Sequence, residues 1–177
     1  MPEARTRARV GRAPTEREKP TAGPDAAGRV ELDHLDREVL GSLNEDARKS
    51  FRDIARELGI SLSTVSHRVR RLEESGVIQG YVPAVDARRI GFDLVVIIGV
   101  RIARGKLMEV QKAIGENPRV FGVYDVTGEW DSVILARFQD RKELDEFIKG
   151  LVGLEYVERT NTQLVLNAVK EERRVVL

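Results

Sequence analysis

Apolar residues in the first half of the chain recur at the spacing of a helix that has one buried face. Four of them lie within an arc of roughly 80°, at about 100° per residue, between residues 61 and 76: Leu62, Val65, Val69 and Leu72. Ser61 is suited to cap the start of this helix, and Gly76 is suited to the left-handed conformation that follows a helix end. The pattern therefore predicts one helix from Ser61 to Gly76 with a polar face opposite its apolar stripe.

A shorter helix is predicted between Ser50 and Gly59. Ser50 would cap its start with Asp53 as a capping-box partner, and the glycine permits a sharp turn into the next helix. The small side chain of Ala55 allows the two helices to approach closely, and Val65 would close the pair from the second helix. This spacing is typical of a helix-turn-helix.

The outer side of the longer helix carries hydroxyl, imidazole and guanidinium groups. Such groups can reach base edges and phosphates in the major groove of DNA. Eight residues are therefore candidates for DNA binding: Ser61, Ser63, Thr64, Ser66, His67, Arg68, Arg70 and Arg71. Charged helix faces are also common on solvated surfaces, so the pattern alone leaves both interpretations open.

The remaining patterns predict a third helix, a wing and a second domain. Residues 32–43 have helical spacing, and Val77 to Val85 alternate like a short wing strand. The second domain is predicted to contain, in order, a strand over 94–102, a helix over 106–115, hairpin strands over 120–127 and 132–138, a helix opened by a capping box at Asp140 and Glu143, and a strand over 156–169. The predicted fold class is α+β, a winged helix-turn-helix followed by a ferredoxin-like βαββαβ domain.

Composition limits the classes of function that the chain can have. Its 177 residues are 41% hydrophobic, enough for two small cores, and 30 basic against 29 acidic residues leave a net charge of only +1. DNA binding would therefore depend on local clusters of basic residues. The sequence has no cysteine, which excludes disulfides and Cys-ligated zinc, and no apolar run approaches the ~18 residues of a membrane-spanning helix.

Residues 1–30 are rich in proline and poor in large apolar side chains, which predicts a disordered basic tail. The tail could add phosphate contacts, or it could be an inert extension before a translation start near Val30. The other predicted divisions are a winged helix-turn-helix domain over 31–83, a hinge over 84–93, a ferredoxin-like domain over 94–170 and a C-terminal tail over 171–177.

Short motifs in both halves occur in a distinctive order. The N-terminal half contains Leu32-Asp33, Asp36-Arg37, Leu40, Asn44, Ala47-Arg48, Ile54-Ala55, Gly59-Ile60-Ser61, Thr64-Val65, Arg68, Arg71-Leu72-Glu73 and Gly76-Val77-Ile78. The C-terminal half contains Gly91, Val123, Thr127-Gly128, Asp131 and Thr160 to Thr162. In this combination the chain resembles the prokaryotic Lrp/AsnC, or feast/famine, transcriptional regulators, and we expect an archaeal or thermophilic member. Its 33% charged residues are a bias of thermophile proteins that also occurs in many other proteins.

The resemblance implies that the second domain binds a small effector, commonly an amino acid. An α-amino acid needs donors for its carboxylate and an acceptor for its ammonium group, and a hairpin turn offers both. The candidate effector-binding residues are Tyr124, Gly128, Glu129, Asp131, Thr160 and Thr162. Each also has a structural interpretation, because Gly128 suits a turn, Asp131 can cap it and threonine favours strands.

The resemblance further implies double-stranded DNA with a pseudo-palindromic operator as a partner, and a homodimer that can extend to a tetramer or octamer. We expect no cofactor, no membrane contact and a cytoplasmic, nucleoid-associated location. We expect no metal site, because the two histidines, His34 and His67, lack ligand spacing. Two other functions stay open: an architectural DNA-compacting protein, and an enzyme similar to siroheme decarboxylases, which resemble this two-domain architecture.

Overall fold

The chain consists of two compact units that divide after Gly80. We describe them from a computed structural model, which covers residues 28–172 and 174–176. Residues 1–27 of the predicted basic tail lie outside the described residues. No helix within the described part of the chain is long and apolar enough to cross a membrane.

The first unit contains three helices, which confirms the helix-turn-helix prediction. They are α1 (His34–Glu45), α2 (Phe51–Leu58) and α3 (Leu62–Glu74). Asp33, Ser50 and Ser61 cap the three helices in turn, because each side chain accepts a hydrogen bond from the backbone N–H three residues later. Gly59 takes the left-handed conformation, with φ 66°, and so allows the sharp turn between α2 and α3.

The core of the first unit forms where the three helices meet. It consists of buried apolar side chains from each helix: Val39, Leu43, Ile54, Ala55, Val65 and Val69. Leu72 is also fully buried, but Leu62 is 47% exposed, so its predicted place in the apolar stripe is wrong. Leu62 is the first residue of α3, and the apolar stripe is buried only from Val65 onward.

The predicted wing strand is wrong, because no residue between Val77 and Val85 belongs to a strand. The segment instead turns back onto α3. The Ile78 N–H donates to the Leu72 carbonyl at 3.0 Å, and the Ile78 side chain packs against the core of the first unit. A strand requires a partner to form its ladder, and an alternating pattern cannot supply one.

The second unit is a four-stranded antiparallel sheet with two helices on one face. A short 3-10 helix (Arg88–Ile90) lies in the predicted hinge. It is followed by β1 (Leu94–Ile102), α4 (Leu107–Gly115), β2 (Val120–Asp125), β3 (Ser132–Phe138), α5 (Arg141–Val152) and β4 (Val157–Leu164). The spatial strand order β2-β3-β1-β4 confirms the ferredoxin-like prediction.

Three predicted details of the second unit are wrong. The first hairpin strand, predicted over 120–127, ends at Asp125. The last strand ends at Leu164 rather than near residue 169. Its partner β1 begins at Leu94, and the last pair between the two strands is Val96 with Leu164. The capping box of α5 is incomplete. Asp140 caps the helix, but the Glu143 carboxylate accepts from the Gln139 N–H at 3.1 Å instead of from Asp140.

The two faces of the sheet differ in their coverage. Both helices pack on the face that carries Val96, Ile98 and Val100, and this side forms the buried core. The opposite side, which we call the open face, carries no helix among the described residues. Its centre is apolar and half-buried or exposed, and consists of Val95, Ile97, Val133 and Leu135.

Candidate DNA-binding helix and effector hairpin

The polar residues of helix α3 differ in whether other residues of the chain already bind them. Ser61 lies before the helix and uses its hydroxyl to accept from the Thr64 N–H at 3.0 Å. The same hydroxyl lies 2.8 Å from that of Ser63 and 2.7 Å from that of Thr64, so the three form one cluster at the helix start. Ser66 is half-buried. Ser61 is therefore primarily a capping residue.

Arg68 and Arg71 are bound by carboxylates of α1 and its cap. The Arg68 Nη1 donates to both oxygens of Asp33, at 2.8 and 2.6 Å, and to Asp36 Oδ1 at 2.8 Å. Arg71 donates to the other oxygen of Asp36. Asp36 is fully buried, whereas the side chains of Arg68 and Arg71 are 22% and 46% exposed. We call these four residues the carboxylate–arginine cluster.

Hydrogen bonds within this cluster shift the pKa values of Asp33 and Arg68 so that the charged form of each is favoured. Hydrogen bonds from Arg68, and then from the Asp36 N–H, lower the pKa of Asp33 below its ordinary value. Bonds to Asp33 and Asp36 raise the pKa of Arg68. Two arginines and two aspartates cancel in charge. The cluster therefore adds little to the long-range attraction of a polyanion such as DNA.

His67 and Arg70 occupy the rest of the outer surface. Both are exposed, and neither side chain has a hydrogen-bond or ion-pair partner among the described residues. A surface cavity of about 390 Å³ opens beside His67 and is lined by Asp33, Ser63, Thr64, His67, Arg68 and Arg71. The side chains of α3 that are free to contact an external partner are therefore His67 and Arg70, and the exposed Ser63 hydroxyl lines the same cavity as His67.

Arg52, in the first turn of α2, is a further basic residue that the sequence analysis missed. Its side chain is exposed and has no ion-pair partner in the described part of the chain. In a helix-turn-helix the first helix crosses the DNA backbone, so this position suits a phosphate contact. The available signal was its place in the first turn of a helix that Ser50 caps.

The second candidate site is the connection between β2 and β3, over residues 126–131. Gly128 takes φ 113°, which favours glycine. The backbone N–H groups of Gly128 and Glu129 have no hydrogen-bond acceptor among the described residues. This turn therefore offers two adjacent free donors.

Asp131 anchors this hairpin to β1. Its Oδ2 accepts from the Ile102 N–H at 2.8 Å, and its Oδ1 accepts from Arg101 Nη1 at 3.1 Å. The Ile102 N–H, followed by Arg101, lowers the pKa of Asp131 below its ordinary value. Arg101 was not a predicted site residue, because the strand pattern around it gave no sign that it would meet the hairpin.

Trp130 lies flat on the open face above Gly99. A methyl group built at Gly99 would lie 2.6–2.9 Å from three atoms of the indole, so only glycine fits there. The Arg159 guanidinium lies 5.1 Å from the centre of the Trp130 ring, and it approaches Glu129 at 3.7 Å. The hairpin is thus held against β1 and β4 by packing and by charge.

The other predicted effector residues do not share one surface. Directly paired residues on antiparallel strands point to the same face. Tyr124 pairs with Val133 and therefore lies on the open face with the hairpin. Thr160 pairs with Val100 and Thr162 with Ile98, so both threonines point to the helix-covered face. The sheet therefore separates Tyr124 and Asp131 from the two threonines within one chain.

A larger cavity, of about 450 Å³, lies between α4 and α5. Its floor is apolar and includes Ile114, Phe138 and Phe147, and its rim includes Arg119 and Glu143. None of the predicted site residues lines it.

Comparison with known proteins identifies both units. Residues 32–79 match the winged helix-turn-helix DNA-binding family, and residues 95–175 match the Lrp/AsnC ligand binding domain. The chain belongs to the Lrp/AsnC family. An uncharacterised helix-turn-helix transcriptional regulator of Pyrococcus abyssi is 42% identical over 144 residues, which cover 81% of this chain and 98% of the relative. The regulator Ptr1 of Methanocaldococcus jannaschii is 38% identical over 141 residues, or 79% and 95% of the two chains.

Solved structures of Lrp/AsnC proteins have the same fold. The leucine response regulatory protein LrpA of Mycobacterium tuberculosis matches with a TM-score of 0.70 and 27% identity, over 82% of this chain and all of that one. A transcriptional regulator of Neisseria meningitidis in complex with L-Met matches with a TM-score of 0.76 over 82% and 97% of the chains. At 23% identity, this second likeness shows the fold alone. The protein is thus a transcriptional regulator with a ligand-binding domain, which implies a non-enzymatic function.

Proposed function

We propose that this Lrp/AsnC protein represses or activates transcription by binding a pseudo-palindromic operator as a homodimer, and that an amino acid modulates this binding. The observation that carries the proposal is the outer surface of α3. His67 and Arg70 are exposed there without partners in the described chain, next to the hydroxyl of Ser63. Imidazole, guanidinium and hydroxyl groups are those that read base edges and phosphates in the major groove.

The open face supports the homodimer. An uncovered apolar sheet face favours association with a second sheet. A two-fold axis through such a pair would relate two copies of α3. Two recognition helices can enter successive major grooves when they lie about 34 Å apart, so the assembly of the second unit can control DNA affinity.

The hairpin supports an effector with a carboxylate and an ammonium group. The free N–H groups of Gly128 and Glu129 can donate to a carboxylate. The Asp131 oxygens already accept from Ile102 and Arg101, so an ammonium group would share this carboxylate or use nearby carbonyls. The likeness to a regulator that binds L-Met agrees with this ligand class.

DNA binding can be tested by letting the full-length protein select duplexes from a random-sequence pool. We expect a consensus with dyad symmetry, bound at least about 10³-fold more tightly than a scrambled duplex of the same composition. Competition titrations at two salt concentrations measure this ratio. A ratio of only a few-fold would instead favour the DNA-compacting function, and no binding to any duplex would overturn both.

Effector binding can be followed through Trp130, which is the only tryptophan of the chain. An amino acid bound at the hairpin should change the emission of this indole, because the ring packs directly on Gly99 beside the free donors. Single amino acids are compared with their methyl esters, which lack the carboxylate. Equal changes in emission with the amino acid and with its ester would contradict the proposed carboxylate contact. The variant Trp130→Phe is the control, because it should abolish a signal that comes from this indole.

A further inference from the structure

We infer that Arg68 and Arg71 are positioning residues that orient the recognition helix, and that they do not contact DNA. This inference rests on the proposed function of α3 in DNA binding. It separates the cationic residues of one helix into two groups with different roles. Arg70 faces DNA, whereas its neighbours Arg68 and Arg71 act through Asp33 and Asp36.

The first support is the geometry around Asp36. This carboxylate has no exposed surface, and it accepts from Arg68, from Arg71 and from the Asp33 N–H at 3.1 Å. The bonds join Asp36, in the first turn of α1, to Arg68 in the middle of α3 and to Arg71 in its last turn. The bonded residues are 32 and 35 positions apart in sequence. Every acceptor oxygen of the buried carboxylate is therefore already used within the unit.

The second support is the energetic cost of releasing either arginine. A buried carboxylate that loses a charged partner is strongly destabilised, whereas one phosphate contact on the DNA surface is a screened, exposed interaction. Turning the bonded nitrogen of either arginine, Nη1 of Arg68 or Nη2 of Arg71, toward DNA would exchange the stronger interaction for the weaker one. Both side chains therefore stay with Asp36 when DNA binds.

The third support is that the cluster fixes the orientation of α3. Apolar contacts through Val65 and Val69 hold the helix against the core, but such contacts are not directional. The bonds from Arg68 to Asp33 and Asp36 fix the rotation of α3 about its axis, because both carboxylates are held by the capping box of α1. This rotation decides whether Ser63, His67 and Arg70 point into the groove.

The decisive variant is the charge-neutral double substitution Asp33→Asn/Arg68→Gln. It leaves the net charge unchanged, and asparagine caps helices as well as aspartate does. We expect the scrambled duplex to be bound with unchanged affinity and salt dependence. The selected operator should lose roughly 10- to 100-fold in affinity, the value of about one base contact.

The matched control is Arg70→Gln, two positions along the same helix. If Arg70 contacts a phosphate, its replacement should reduce the salt slope by about 1, and if it reads a base it should relax specificity at one position. The inference is overturned if the double variant reduces the salt slope by about 1 on the scrambled duplex, or if it binds the operator as the wild type does. Failure of the wild type to bind any duplex would instead overturn the proposed function.

If thermal unfolding shows that the double variant does not fold, the single variant Asp33→Asn is tested instead. Releasing Arg68 from Asp33 should lower the ratio of operator to scrambled affinity, because the helix loses a constraint. If Arg68 were a DNA contact that Asp33 restrains, the same substitution would strengthen operator binding and raise the salt slope. An unchanged or higher ratio therefore overturns the inference.

Discussion

Replacing Asp36 with alanine is expected to lower the free energy of unfolding of the first unit by about 2–4 kcal/mol. Asp36 is fully buried and pairs with both Arg68 and Arg71. Alanine removes the carboxylate that both guanidinium groups share and leaves a cavity, with Arg68 still paired to Asp33 and Arg71 without its carboxylate. The same change removes one half of the capping box that starts α1.

Denaturant unfolding followed by far-ultraviolet circular dichroism measures this loss, since the first unit is helical. Trp130 emission reports the second unit and serves as an internal reference. Glu38→Ala is the matched control, because within the described part of the chain this exposed residue of α1 pairs only with the exposed His34, at 3.3 Å. Its expected effect is within about 0.5 kcal/mol. A loss below about 1 kcal/mol for Asp36→Ala would mean that the cluster is not a buried ion pair in solution.

Helix boundaries in the first unit could be predicted because the signals that set them are local. Ser61 caps α3 through a bond to a residue three positions away, and Gly59 makes its turn through its own backbone conformation. The strand β1 was predicted with its observed bounds for a similar reason. A run of β-branched residues buried in a sheet is recognisable without its partners.

The pairing of Arg68 and Arg71 with Asp36 could not be predicted, because it joins residues far apart in sequence. A helical projection places both arginines away from the apolar stripe, and this placement is correct. The projection cannot show that Asp36 of another helix lies in reach of them. The same limit applies to Thr160 and Thr162, whose face in the sheet depends on the register with β1 rather than on their own segment.

A single acidic residue on the open face is expected to prevent the proposed homodimer. Leu135 pairs with Ile97 at the centre of this face, and Ile97 is 36% exposed in the single chain. Burial of Leu135→Asp against a second apolar sheet would leave an unpaired carboxylate without water, which is strongly unfavourable. The fold itself should tolerate the change, since residue 135 points away from the helix-covered core.

The consequence for DNA binding is large, because a monomer can engage only one half-site. Losing the linked second contact should weaken operator binding by roughly 10²- to 10⁴-fold, while the affinity for a single half-site stays unchanged. Light scattering after size exclusion measures the assembly, and titration of full and half operators measures the two affinities. Met108→Asp is the matched control, because Met108 is 74% exposed on α4, on the other side of the sheet. A dimeric Leu135→Asp variant with wild-type operator affinity would show that the two copies of α3 are joined through another surface.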